Sequence, residues 1–131
     1  RFHFPCAGTP GETRVVNGPL FSVSPLALRQ RLSYLWENKR TITELVTEDF
    51  GTVICMEIGA TCVGTIEQTF TPGQPVEKGA EKGYFAFGGS STLLLFEPGT
   101  VNFDTDLLES SAKQMELYAK VRTSAGSLTS D

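Results

Sequence analysis

Four consecutive residues, Gly88-Gly89-Ser90-Ser91, combine two hydroxyl nucleophiles with two residues that lack a Cβ. Glycine permits strained dihedrals and close backbone approach, so a hydroxyl here can be brought against the carbonyl of its own chain. The alternative is a β-bulge or tight turn in which the glycines only relieve crowding. His3 is the sole histidine and the one side chain whose ordinary titration suits a general base near neutral pH; a lone histidine is also commonly a satisfied structural residue. Cys6, Cys55 and Cys62 are odd in number and lack C-x-x-C spacing, which favours a reducing compartment and small buried hydrophobes over disulfides. With one histidine, a Cys/His metal site has little to draw on, and none is expected.

The elements that must hold these residues read as strands. Residues 84–87 form an aromatic-rich run, and 92–96 a continuous apolar run closed by Glu97-Pro98-Gly99, the pattern of a strand buried on both faces. Residues 41–46, 52–58 and 63–70 are β-branched meander strands, and Thr71-Pro72-Gly73 signals a type II turn. Residues 1–5 alternate as an edge strand, and 13–16 and 20–23 flank Asn17-Gly18-Pro19 as a hairpin. Ser24 as N-cap and Pro25 at the first helical position open one short helix to about residue 36, with Leu28, Leu32, Leu35 and Trp36 on one face. Arg29, Arg31, Lys39 and Arg40 fall in or just after it, as a solvated face or a contact for anionic headgroups. A short strand is expected at 101–103. Residues 107–120 have helical propensity, but alternation at Met115, Leu117, Ala119 and Val121 favours a strand in the second half, followed by a disordered tail at 123–131.

These patterns predict a mainly β protein: an antiparallel β-sandwich or barrel-like core with one short helix, in a single domain. At 131 residues the chain can bury a core without staples, and its net charge of −4 argues against nucleic acid as a partner. No apolar run approaches the length that spans a bilayer. The start, Arg1-Phe2-His3-Phe4-Pro5, has neither an initiator methionine nor the apolar stretch of a signal peptide, and a fragment is expected.

The run Lys78-Gly79-x-Glu81-x-Gly83-x-Phe85-x-Phe87-Gly88-Gly89-Ser90-Ser91 resembles the processing site of the phosphatidylserine decarboxylase family. Arg1-x-His3-x-Pro5 matches the second half of that family's Tyr-His-Arg-x-His before proline. The run from Ile58 through Gly59-Ala60-Thr61-Cys62-Val63-Gly64-Thr65 to Ile66 is close to its Val-Gly-Ala-Thr-x-Val-Gly-Ser-Ile, although these glycines and threonines read structurally. Trp36-Glu37-Asn38-Lys39-Arg40 approximates an aromatic before Glu-Asn-Glu-Arg, with Lys39 as a departure.

The resemblance implies a self-processing carboxy-lyase, cut between Gly89 and Ser90, with Gly88 and Ser91 supporting. Residues 1–122 would be the catalytic core, with 1–89 as the β-chain part and 90–131 as the α-chain part. It implies that His3 is the base for self-cleavage and that Ser90 becomes a pyruvoyl group, which forms a Schiff base with the substrate amine and needs neither pyridoxal phosphate nor metal. The implied partners are phosphatidylserine, a membrane surface bound peripherally on its cytoplasmic side, and the cleaved chains themselves as a heterodimer or a dimer of such heterodimers. Relatives acting on a soluble amino acid, and an unprocessed remnant, are the alternatives. The family also places a Tyr-His pair and a supporting aspartate upstream of Arg1, so the chain reads as N-terminally truncated and is expected to cut slowly or not at all by itself. Residues 76–87 superficially resemble a lipoyl-type carrier, but Lys78 and Lys82 lack its Met-Lys-Met setting.

Overall fold

The computed structural model describes residues 1–120 and 123–129. In chain order the elements are β1 (Phe2–His3), β2 (Thr9–Pro10), β3 (Arg14–Val16), α1 (Pro25–Gln30), α2 (Tyr34–Glu37), β4 (Arg40–Val46), β5 (Thr52–Ile58), β6 (Ile66–Gln68), β7 (Glu81–Phe85), β8 (Ser91–Leu95), β9 (Val101–Phe103), α3 (Thr105–Ala112) and β10 (Gly126–Leu128). The strands form a five-stranded sheet in the order β2-β4-β5-β8, with β3 also on β4, a three-stranded sheet β1-β7-β6, and the pair β10-β9. Every described pairing is antiparallel and none closes a barrel.

Alternation on β4 and β5 dictates where the core lies. Thr41, Thr43 and Leu45 on β4, and Val53, Cys55 and Glu57 on β5, point inward from neighbouring strands and are buried. Leu45, Val53 and Cys55 pack with Phe4 and Cys6 from the N-terminal stretch, and Phe50, Phe70, Val76, Ala80 and Phe96 close around them. Phe4 meets Phe70 edge-on at 5.3 Å between ring centroids.

The mainly β reading holds, as do β4, β5, β9 and the turn at Gly73, where φ is +76° and the Gln74 N–H donates to the Thr71 carbonyl. Other expectations change. The Asn17-Gly18 hairpin does not form, because β3 pairs with β4 and residues 20–23 are not a strand. The loop is instead pinned by the buried Asn38 amide, which donates to the Phe21 and Gly59 carbonyls, each at 2.8 Å, and accepts from the Phe21 N–H. Ser24 does cap α1, accepting from the Ala27 N–H, but the extended backbone at Arg31 splits the single helix into α1 and α2 and leaves Leu32 and Trp36 exposed. A third helix, α3, occupies residues that propensity allowed to be helical.

The strand at 63–70 contracts to β6, and that at 84–87 shifts to β7. The strand at 92–96 becomes β8, which is an edge strand and is not buried on both faces: Leu94 is 41% and Leu95 52% exposed. Residues 115–120 form no strand, and Val121 lies outside the described residues. The tail expected to be disordered contains β10, which pairs with β9 from Gly126 against Phe103 to Leu128 against Val101. Arg122, Ser130 and Asp131, at the expected domain boundary and the end of that tail, lie outside the described residues.

Gly83 is the tightest point of the three-stranded sheet. A Cβ there would fall on the Glu67 carbonyl oxygen of β6 and within 2.8 Å of the Phe2 ring of β1. Gly83→Ala is therefore expected to cost about 1–3 kcal/mol through overpacking, read as a lowered midpoint in urea unfolding; an unchanged midpoint would show that β1 and β6 shift freely.

Candidate active site

β7 and β8 are consecutive along the chain but belong to different sheets, so residues 86–90 form a crossover and not a hairpin bulge. Two successive residues of this crossover are left-handed: Phe87 has φ +64° and Gly88 φ +125°. Glycine adopts such values freely, whereas a bulky aromatic does so at a cost of about 1–3 kcal/mol. The Phe87 side chain gains no burial in return, being 91% exposed. Gly89 and Ser90 follow at once, and Ser91 begins β8 opposite Ile58. The Ser90 Oγ is sealed from solvent without a hydrogen-bond partner; among the described residues only Thr129 Oγ1 shares that condition. A buried, unbonded hydroxyl costs desolvation energy, which sets Ser90 apart from the adjacent Ser91.

Ser90 lines a cavity of about 320 Å³ between the sheets. The β5–β8 register sets Cys55 opposite Leu94 and Glu57 opposite Thr92, and both pairs line the cavity on the face that Ser90 joins. Phe2, His3, Lys82 and Phe85 close the other side, with Arg1, Gly88 and Gly89 completing the wall. The structure thus brings His3 to the same cavity as the consecutive residues Gly88, Gly89 and Ser90, from which it is far removed in sequence. Ser91 is the exception, since it does not line the cavity. His3 is exposed on β1 with Glu81 as its ladder partner. Glu81 Oε1 accepts from Arg1 at 2.7 Å and from Thr69 Oγ1 at 3.2 Å, so that oxygen is committed elsewhere.

Two residues of this cavity escaped the sequence analysis as site candidates. Lys82 Nζ donates to Glu57 Oε2 at 2.9 Å, with side chains only 1% and 3% exposed, and to Gln68 Oε1 at 2.8 Å. Glu57 Oε2 also accepts from Thr41 Oγ1 at 2.6 Å and Gln68 Nε2 at 3.1 Å. The ammonium stands 5.3 Å from the Phe70 ring centroid and 5.6 Å from that of Phe2. Burial lowers the Lys82 pKa, and the Glu57 carboxylate opposes that shift. The signal was available: Glu57 is the acidic member of an inward series that continues Val53 and Cys55. Burial of Lys82 also removes it as the exposed lysine a lipoyl-type carrier needs.

Of the basic residues near α2, Lys39 donates to the Gly64 carbonyl, Arg40 to the Asn38 carbonyl, and Arg31 pairs with Glu37. Arg29 donates to the Gln114 carbonyl. Cys55 is buried as expected and Cys6 is buried too, whereas Cys62, also expected to be buried in a strand, is exposed on the turn after Ala60 with φ +64°. Burial pushes the Cys55 thiol up to about 12 and raises that of Cys6. No group of three or more potential metal ligands clusters among the described residues.

The phosphatidylserine decarboxylase family matches the chain over residues 1–126. Proteins of Chlamydia muridarum and Chlamydia pneumoniae, each named phosphatidylserine decarboxylase proenzyme, are 52% identical over 126 residues, covering 96% of this chain and 42% of each relative. A Chlamydia trachomatis serovar D protein of the same name is 49% identical over the same span. The chain therefore spans 42% of the length of these curated relatives. No solved structure matches it.

Removing one member of the buried pair leaves the other uncompensated, so Lys82→Ala is expected to destabilise by about 3–5 kcal/mol, whereas Glu57→Leu/Lys82→Met stays within about 1 kcal/mol of the parent or gains stability. Chemical denaturation of the single and double variants checks this; equal losses in both would assign the pair no coupling. In native protein at pH 8, iodoacetamide should modify Cys62 and spare Cys6 and Cys55, as read by peptide mass.

Proposed function

The chain belongs to the phosphatidylserine decarboxylase family, and from that membership we propose that it acts in converting phosphatidylserine to phosphatidylethanolamine after cutting its own backbone between Gly89 and Ser90. The observation that carries the reading is the Ser90 hydroxyl: buried, unbonded, at the end of a left-handed crossover, and lining one cavity with the only histidine.

In this reading His3 takes the Ser90 proton and Oγ attacks the Gly89 carbonyl carbon. The Gly89–Ser90 C–N bond breaks, the nitrogen takes up a proton, and an ester joins Gly89 to Oγ. Strain at Phe87 raises the starting state and lowers the barrier to this shift. Loss of the Ser90 α-proton then breaks the Cβ–Oγ bond, releasing residues 1–89 with a Gly89 carboxylate and leaving dehydroalanine at position 90. Water expels ammonia from it and leaves a pyruvoyl end. That group supplies a ketone that takes the substrate amine and holds the electrons left as carbon dioxide departs. Ser90 fits conversion to such a group, since its hydroxyl makes no structural hydrogen bond and the residue lines a cavity large enough for a small headgroup. The proposal invokes neither pyridoxal phosphate nor metal.

The two pieces, 1–89 and 90–131, would remain associated as a heterodimer through the β5–β8 ladder. Acting on a lipid, the enzyme would work peripherally at a membrane surface, and we assign it to the cytoplasmic side. No helix among the described residues is long and apolar enough to cross a membrane.

Intact mass of the purified full-length protein is expected to give two pieces, with the second beginning at a ketone-bearing position 90. Ser90→Ala should leave one uncut chain, and His3→Ala should slow cutting by about a hundredfold or more. Borohydride with phosphatidylserine should inactivate the enzyme and label only the piece that begins at 90. Efficient cutting of Ser90→Ala would overturn the reading.

A further inference from the structure

We infer that Glu57 is the anionic contact that receives the amino group of the substrate in the Ser90 cavity, held in place for that task by Lys82, Gln68 and Thr41. The inference rests on the decarboxylase reading and adds a binding residue to it.

A buried ion pair is more often neutral or costly than stabilising when set against apolar residues of the same volume. Glu57 and Lys82 nevertheless occupy inward positions whose neighbours include Val53, Cys55 and Phe2. The distribution of hydrogen bonds on the carboxylate is lopsided. Lys82 Nζ, Gln68 Nε2 and Thr41 Oγ1 all donate to Oε2. Oε1 takes part in none of these bonds, although an ionised carboxylate has room for about four donors. Nor is Oε1 one of the sealed, partnerless atoms, which among the described residues are Ser90 Oγ and Thr129 Oγ1. Glu57 lines the Ser90 cavity, so the oxygen outside these bonds is the one left to receive a donor there.

Glu57 lies opposite Thr92 on β8, and Ser90, which precedes the first paired residue Ser91, lines the same cavity. Positions diagonal across a ladder are about 7–8 Å apart at the backbone, so residues placed near such a diagonal leave room for a small group between them. A primary ammonium suits that place: it offers three donors, one for Oε1, while its nitrogen is carried toward position 90. Lys82 cannot serve as the substrate contact in Glu57's stead, because its charge already faces Glu57, Gln68 and two aromatic rings. The chemical class assigned to the site is thus a phosphodiester headgroup bearing a primary amine.

The test separates amine binding from turnover. In full-length Ser90→Ala protein, which keeps the crossover intact and makes no ketone, NMR titration compares glycerophosphoethanolamine with glycerol 3-phosphate. Glu57→Gln is made beside Glu57→Leu/Lys82→Met, because the first strands Lys82 and the second removes both charges. Both are expected to bind glycerophosphoethanolamine about tenfold more weakly, as for loss of a hydrogen bond to a charged group, with glycerol 3-phosphate unchanged. With Ser90 restored, both variants should cut fully, and KM for phosphatidylserine should rise about tenfold while kcat changes less. The inference is overturned if the Ser90→Ala parent does not prefer the amine-bearing probe, if both probes weaken together or neither does, or if the variants stop cutting while their parent cuts. A parent that never cuts overturns the decarboxylase reading instead.

Discussion

The contact between Lys82 and Glu57 ties the two main sheets together. Lys82 projects from β7 of the three-stranded sheet and Glu57 from β5 of the five-stranded one, and at 2.9 Å their bond joins the sheets through a nearly dry interior. An isolated charge at either place would be prohibitive, so each of the two residues depends on the other being held at hydrogen-bonding distance across the gap between the sheets. Thr41 and Gln68 extend the constraint to β4 and β6, so four strands answer to one carboxylate oxygen.

The crossover inherits its geometry from that spacing. β7 ends at Phe85 in one sheet and β8 begins at Ser91 in the other, and the intervening residues must turn across the gap. Such a short connection leaves few dihedral choices, and two consecutive left-handed residues are the solution observed. Strain is thus stored beside the Gly89–Ser90 bond because the sheets, fixed by their own packing, over-determine the link between them.

How much of this was legible in the sequence varied with the range of the interactions concerned. β4, β5 and β9 could be read because β-branched runs bounded by polar turns carry their own signal. The cap at Ser24 and the turn at Gly73 are equally local. What failed was decided by partners distant in sequence. Asn17-Gly18 looks like a hairpin turn, but Asn38 captures the segment after it. The apolar run at 92–96 looks doubly buried, yet sheet order puts β8 at an edge. Within the site, Ser90 and His3 were found through spacing that resembles a known family. Glu57 and Lys82 were passed over as site residues because a charge in a strand reads as solvent-facing until the register shows it pointing inward.

The placement of the Gly89–Ser90 bond bears on the order of events in the life of the chain. It lies between β7 and β8, so a break there would put β1 to β7 on one piece and β8 to β10 on the other, with the β5–β8 ladder joining them. Before the break, β8 finds β5 as part of its own chain, an encounter whose entropy is limited by loop closure. After it, the same pairing becomes a bimolecular event that depends on dilution. Folding would therefore have to precede any such scission, and a cut protein that unfolded would lose the covalent memory that assembled it. The mature form would persist by the slowness of its unfolding and not by a readily reversible equilibrium.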